Sequence, residues 1–265
     1  MGASLTLFRV SGIEVRVHWS FLLIIVYGAV VFGAGGGALL TGALYGVFVI
    51  LLLFVCVTLH EFGHALVAQH FNINVPSITL LPIGGVASLE RMPDKPIDEL
   101  WITIAGPLVN FAIALLLIPM AIGAATAADG GNGITLDTFR NATRTIQTPG
   151  LVNLLVYLIA INLLLGLFNL LPAFPMDGGR ILRSILAMGM PYLRATRIAV
   201  FIGRLMAILF AVWGIFSGDL FMLLIAFFVY VGSRGELESV RSRSALRDIP
   251  ASEGLTPNAV NLYTS

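Results

Sequence analysis

His60, Glu61 and His64 stand in the stretch FVCVTLHEFGHALVAQHF, and their spacing could hold a metal and a base together. On a helix, residues four apart project from one face a turn apart, so the two imidazoles can close on a single ion. Glu61 lies about 100° further round the helix, beside that ion without having to bind it. A zinc ion so held lowers the pKa of its bound water toward about 7, and a carboxylate within reach takes the proton as the water attacks a carbonyl. The spacing therefore predicts metal-assisted hydrolysis with His60 and His64 as ligands and Glu61 as general base.

A third ligand is needed, and two carboxylates compete for the place. Asp177, in FNLLPAFPMDGGR, is the first choice. Pro172 and Pro175 remove backbone donors and end a helix there, a break tolerated in lipid only where protein or a water-filled cavity supplies partners. Gly178 and Gly179 would then let the backbone approach the ion. Glu90 is the rival, because it also lies downstream of the motif, but it abuts Arg91 in a polar loop and is expected to face solvent.

The elements that carry these groups are unusual. Of 265 residues, 58% are hydrophobic and 11% charged, which makes the bilayer the expected solvent. No Asp, Glu, Lys or Arg occurs over residues 17–60, and uncharged runs recur over 100–128, 145–176 and 220–233. Each supplies most or all of the roughly 20 apolar residues that a spanning helix needs. Splitting the first run at Gly33, Gly35, Gly36 and Gly37 gives six spans, near 17–33, 39–69, 98–123, 150–172, 195–216 and 218–233. Lys and Arg resist translocation, and a cytosolic N-terminus leaves only Arg140 and Arg144 outside, with Arg204 a turn or two into the fifth span. Both termini are therefore expected in the cytosol of a multi-pass protein of the cell membrane, with the second and fourth spans bringing their motifs to the cytosolic side.

Titratable groups inside such spans cost about 2.5–3.5 kcal/mol each on insertion scales. Structural zinc is worth about 10–16 kcal/mol at neutral pH, enough to offset two His and one Asp. The formal net charge of +1 and the scatter of the basic residues give no nucleic-acid footprint. Cys56 is the sole cysteine, so no disulfide forms within the chain.

HEFGH on the second span together with FNLLPAFPMDGGR on the fourth resembles the site-2 protease family of intramembrane zinc metalloproteases. AGPLVN, on the third span, resembles that family's third motif. The resemblance implies an all-α membrane protein of six helices, zinc ligation by His60, His64 and Asp177, Glu61 as base, and cleavage of a membrane-spanning protein near the cytosolic face. It further implies that Asn110 and Asn169 hold the substrate strand or stabilise the oxyanion, since an amide donor can bind developing negative charge in a dry site. An interhelical hydrogen bond is the alternative for each.

Between the second and third spans, VPSITLLPIGGVASLE reads as two short strands around Pro82, Gly84 and Gly85. In the family such a hairpin dips into the membrane. A spanning substrate must unwind before a carbonyl is reachable, and a strand edge including Gly84, Gly85 and Val86 could capture it by strand addition. A plain cytosolic loop is the alternative. His18 and His70 are expected at the interface, and Asn141, Ala142 and Thr143 match a glycosylation triplet that chance often supplies.

Residues 1–234 are thus expected to form the protease domain and 235–265 a polar cytosolic tail. The last stretch, LRDIPASEGLTPNAVNLYTS, resembles the start of a CBS domain, the nucleotide-sensing module that follows the membrane part in some site-2 proteases, which suggests a chain cut short. Two other functions compete. Intramembrane His, Asp and Glu also mark ion paths, but a metal-ion transporter would show duplicated halves, and no repeat is found. A catalytically inactive membrane scaffold would have no use for base and ligands together.

Overall fold

The computed structural model describes residues 4–35, 38–82, 84–128 and 148–247. The chain divides between Leu170 and Leu171 into two compact units. The first holds β1 (Ser4–Val10), β2 (Ile13–His18), α1 (Phe21–Gly35), α2 (Leu39–His70), β3 (Ser77–Leu81), β4 (Gly84–Ser88), α3 (Pro96–Ala128) and α4 (Leu151–Asn169). The second holds α5 (Asp177–Ala187), α6 (Tyr192–Ser217) and α7 (Leu220–Arg247).

Five helices, α2, α3, α4, α6 and α7, are long and apolar enough to cross a membrane. α1 is apolar but has 15 residues, about 22 Å at 1.5 Å per residue against a hydrocarbon core of about 30 Å. The first span was expected to begin at 17, but His18 ends β2, and the helix starts only at Phe21. The fourth was expected to reach 172 but stops at Asn169, and Asp177 opens a separate helix. The boundary expected after 234 falls inside α7, which runs unbroken to Arg247. The glycosylation triplet, Arg140, Arg144 and the CBS-like stretch from 248 lie outside the described residues.

Where helices and one short hairpin between the second and third spans were expected, the described residues hold a four-stranded sheet, ordered β1-β2-β3-β4, to which β1 and β2 are the addition. β1 and β2 form an antiparallel hairpin turned by Ser11 and Gly12, both at positive φ (52° and 80°). A two-residue turn of that kind suits the strands' right-handed twist. β2 alternates apolar and polar along IEVRVH, burying Ile13 and Val15 and leaving Glu14 and Arg16 to pair with each other at 2.6 Å. The ion pair holds the Glu14 carboxyl below its ordinary range, first through the hydrogen bond from Arg16 and then through its charge. β2 and β3 pair in parallel, Glu14 opposite Ser77 through Val17 opposite Leu80, while β3 and β4 are antiparallel. The buried face of β2 and β3 packs on Ala65 and Ala68 of α2 and Ile102 of α3, so the sheet is seated on the helical turns that follow the histidine motif.

Glycines let the first two helices touch. A Cβ on Gly46 would lie 2.7 Å from Phe32 Cβ and overlap the Gly28 carbonyl, and one on Gly42 would sit 3.0 Å from Gly33 Cα. Small residues four apart allow this approach in lipid, where packing rather than water exclusion drives association. Gly46→Leu should therefore cost about 1–3 kcal/mol in a detergent unfolding titration. Gly235→Ala on α7, which has open space for a methyl group, should leave stability unchanged or slightly raised.

Candidate metal centre

His60, Glu61 and His64 lie in the last third of α2, where Glu61 is the helix's only Asp, Glu, Lys or Arg. His60 is buried, 6% exposed. The two imidazoles meet edge to face, with centroids 4.7 Å apart, and their Nε2 atoms approach to 3.1 Å. The second nitrogen of His64, Nδ1, lies 2.7 Å from the carbonyl oxygen of Ile102 on α3. A carbonyl can only accept, so Nδ1 carries the proton and donates. In a neutral imidazole that leaves the lone pair on Nε2, the nitrogen turned toward His60. Such a bond to the ring's far nitrogen is how metal-binding histidines are commonly oriented.

Both donors therefore converge without rearrangement. Two nitrogens each about 2.0–2.1 Å from a tetrahedral zinc would be separated by roughly 3.3 Å, close to the observed spacing. The room for them comes from α3. A Cβ on Gly106 would overlap the His64 ring and lie 2.8 Å from His60 Nε2. The approach of the two helices rests in turn on Gly63, whose added Cβ would lie 2.8 Å from the Ala105 carbonyl oxygen. Gly106 precedes Pro107 in mid-helix, and proline leaves the Thr103 carbonyl without its helical donor. In AGPLVN, a Gly-Pro pair inside an apolar helix is the sequence's sign of this close approach, and spacing alone assigns Gly106 no role.

Glu61 is partly buried, and β4 runs beside it: a Cβ on Gly85 would come within 2.5 Å of Glu61 Cγ and 3.1 Å of its Oε1. Gly85 thus serves the carboxylate by lacking a side chain, while Gly84 takes a positive φ of 136° open to glycine, and Val86 is exposed. Asn110 lies one turn beyond Gly106 on the same face of α3, is 1% exposed, and its Oδ1 has no hydrogen-bond partner among the described residues. Asn169 is the last residue of α4 and half-buried. Asn162, by contrast, donates to the Leu158 carbonyl at 2.8 Å and to Cys56 Sγ at 3.3 Å, tying α4 to α2. Glu90 is exposed, its backbone N–H donating to the Asn74 carbonyl. His18 Nδ1 lies 2.6 Å from Ser20 Oγ, and His70 closes α2.

Asp177 belongs to the second unit, where it is the first residue of α5. Its charge there suits the positive end of the helix dipole. Gly179 serves a different need from the one expected: a Cβ on it would lie 2.7 Å from the Ala173 carbonyl carbon and the Phe174 nitrogen, so it lets the helix turn back on its own preceding loop.

Residues 48–210 match the model of peptidase family M50, a stretch that takes in the histidine motif, α3, α4 and Asp177. The chain belongs to peptidase family M50. As an M50 peptidase it is a metalloprotease with helices apolar enough for a membrane, in accord with its resemblance to the site-2 proteases. A zinc metalloprotease of Methanocaldococcus jannaschii is 37% identical over 260 residues, 98% of this chain and 68% of that protein. Rip3 of Mycobacterium tuberculosis is 28% identical over 284 residues, 97% of this chain and 64% of that protein. The M50 chain thus spans about two thirds of the length of these relatives. The solved site-2 protease from M. jannaschii superposes with a TM-score of 0.59 at 36% identity, covering 89% of this chain and 95% of that one.

Gly106→Ala should push the His64 ring off its seat. Divalent-metal affinity, read by competition with a chromophoric chelator, should fall about 10- to 100-fold, the range seen when a ligand's orienting partner is lost.

Proposed function

We propose that this M50 peptidase is an intramembrane zinc endopeptidase that cleaves a membrane-spanning segment of another membrane protein, as in regulated intramembrane proteolysis. One zinc per chain is held by His60, His64 and Asp177. The observation that carries the reading is the facing pair of Nε2 atoms, with the far nitrogen of His64 already committed to a backbone carbonyl. Zinc, when bound, supplies Lewis acidity and acidifies water. Glu61 takes the proton of the attacking water as it adds to the scissile carbonyl, and the tight cover of Gly85 restricts where its carboxylate can go. Asn110 offers a buried carbonyl oxygen that can accept a substrate backbone N–H, while its amide nitrogen, or that of Asn169, is the donor an oxyanion would need.

The substrate strand is read as adding to β4. Support comes from the position of β4 at the end of the strand order, beside the proposed base, with Gly84 and Gly85 carrying no side chain and Val86 exposed. A strand edge supplies unpaired backbone groups, which are what an unwound helix needs in a dry environment. In this reading α1 to α4 with α6 and α7 form six spans, α1 making up its short length by local thinning of the bilayer. Both termini lie in the cytosol and the zinc site lies toward that face, in a cell-membrane protease domain of residues 1–234. Residues 235–265 would lead from it toward the cytosol.

Glu61→Gln should keep about one zinc per chain while cleavage of a membrane-reconstituted substrate falls at least 10²-fold, as expected for loss of a general base. Undiminished cleavage by that variant would remove Glu61 from the mechanism. Undiminished metal flux or partner binding with no cleavage in the unmodified chain would favour a transporter or a scaffold. Val86→Pro should slow turnover several-fold with zinc content unchanged, since proline removes one donor from the edge; equal turnover would argue for a plain loop.

A further inference from the structure

The loop that leads to Asp177 is gripped by α7. Between α4 and α5, Ala173 and Phe174 are completely buried, at 0% exposure. Gly203 of α6 admits Ala173: a Cβ there would lie 3.2 Å from Ala173 Cα and 3.0 Å from Ser233 Oγ. Gly232 of α7 admits Pro175, since its Cβ would come within 2.6 Å of the proline Cδ. One residue on, Ser233 Oγ donates to the Phe174 carbonyl at 3.2 Å.

Arg183 completes the grip from the other side of Asp177. It was expected in a cytosolic loop, yet it is 0% exposed. Its guanidinium forms an ion pair with Glu236 of α7 and stacks 5.1 Å from the Phe174 ring centroid and 5.0 Å from that of Tyr192. A guanidinium does not shed its proton when buried, so it must keep both the carboxylate and the ring faces. Phe174 is therefore held twice, by its carbonyl through Ser233 and by its ring through Arg183. Ser233 and Glu236 are three apart on α7 and so share one face. Asp177 follows Phe174 by three residues and precedes Arg183 by six, leaving its backbone fixed on both sides by groups that α7 holds.

We propose that Ser233 and the Arg183–Glu236 pair are positioning residues for the Asp177 carboxylate, so that metal affinity depends on α7. The proposal rests on the reading of Asp177 as third ligand. A carboxylate ligand set loosely by even a fraction of an ångström weakens the coordination it completes, which is why groups behind the ligands matter to affinity.

The test uses the full chain in detergent, with zinc exchanged for Co²⁺. Three quantities are read: Co²⁺ affinity by chelator competition, the visible ligand-field band, and the melting temperature of the metal-free protein. Ser233→Ala and Glu236→Gln should each weaken Co²⁺ binding about tenfold or more and alter the band. Glu238→Gln, which breaks only the exposed pair with Arg234 on the same helix, should change neither. Should Glu236→Gln fail to fold, Ser233→Ala, which removes one hydrogen bond, decides alone. Unmodified affinity and band in the folded variants overturn the proposal and leave the ligand reading standing. Weakened binding with an unaltered band and a lowered melting temperature assigns the contacts to general packing and also overturns it. Asp177→Asn binding Co²⁺ as tightly as the unmodified chain overturns the ligand reading itself.

Discussion

The hydrogen bond between His64 Nδ1 and the Ile102 carbonyl constrains the rest of the first unit. It decides which nitrogen of the ring holds a proton, which way the ring faces, and therefore where a pair of donor lone pairs can meet. For it to form, α3 must come close to α2, and both helices give up side chains to allow it: Gly63 on one, Gly106 on the other. The sheet then takes up the far side of the same turns through Ala65 and Ala68. Backbone approach thus supplies the group that orients the ring.

Buried polar groups in this chain are paired to different degrees. Asn162 and Ser233 spend donors on named partners in neighbouring helices, which is how polar groups are usually accommodated among apolar helices. Asn110 keeps a buried carbonyl oxygen unpaired among the described residues, on the same face of α3 as Ile102 and Gly106. Leaving such an atom unpaired costs about 1–3 kcal/mol. Asn162 Oδ1 is likewise buried and unpaired among the described residues, so α4 bears such a cost as well as α3.

The histidine motif was legible because its four-residue spacing and its setting in an apolar run are both local facts. So were the centres of the long helices, since uncharged runs are read directly. The sheet was not. Its β2 strand alternates cleanly from Ile13 to His18, and Ser11-Gly12 is a plain turn signal, but the apolar run that begins at 17 drew the reading toward a helix starting too early. Arg183 was assigned to a loop because cations next to spans usually face water, and nothing local reveals that Glu236 and two aromatic rings lie around it. Gly179 was read toward a ligand when it serves a backbone crossing. For Arg183 the deciding partner lies far along the chain, where spacing rules carry no information.

The parallel ladder between β2 and β3 carries a consequence for topology. Strands that immediately precede α1 and follow α2 are joined edge to edge from Glu14–Ser77 to Val17–Leu80. Whatever excursion the chain makes between them, it has to begin and finish on one and the same side of the lipid. The number of traverses made by those two helices is therefore even. This parity comes from hydrogen-bond pairing alone and owes nothing to where the arginines fall.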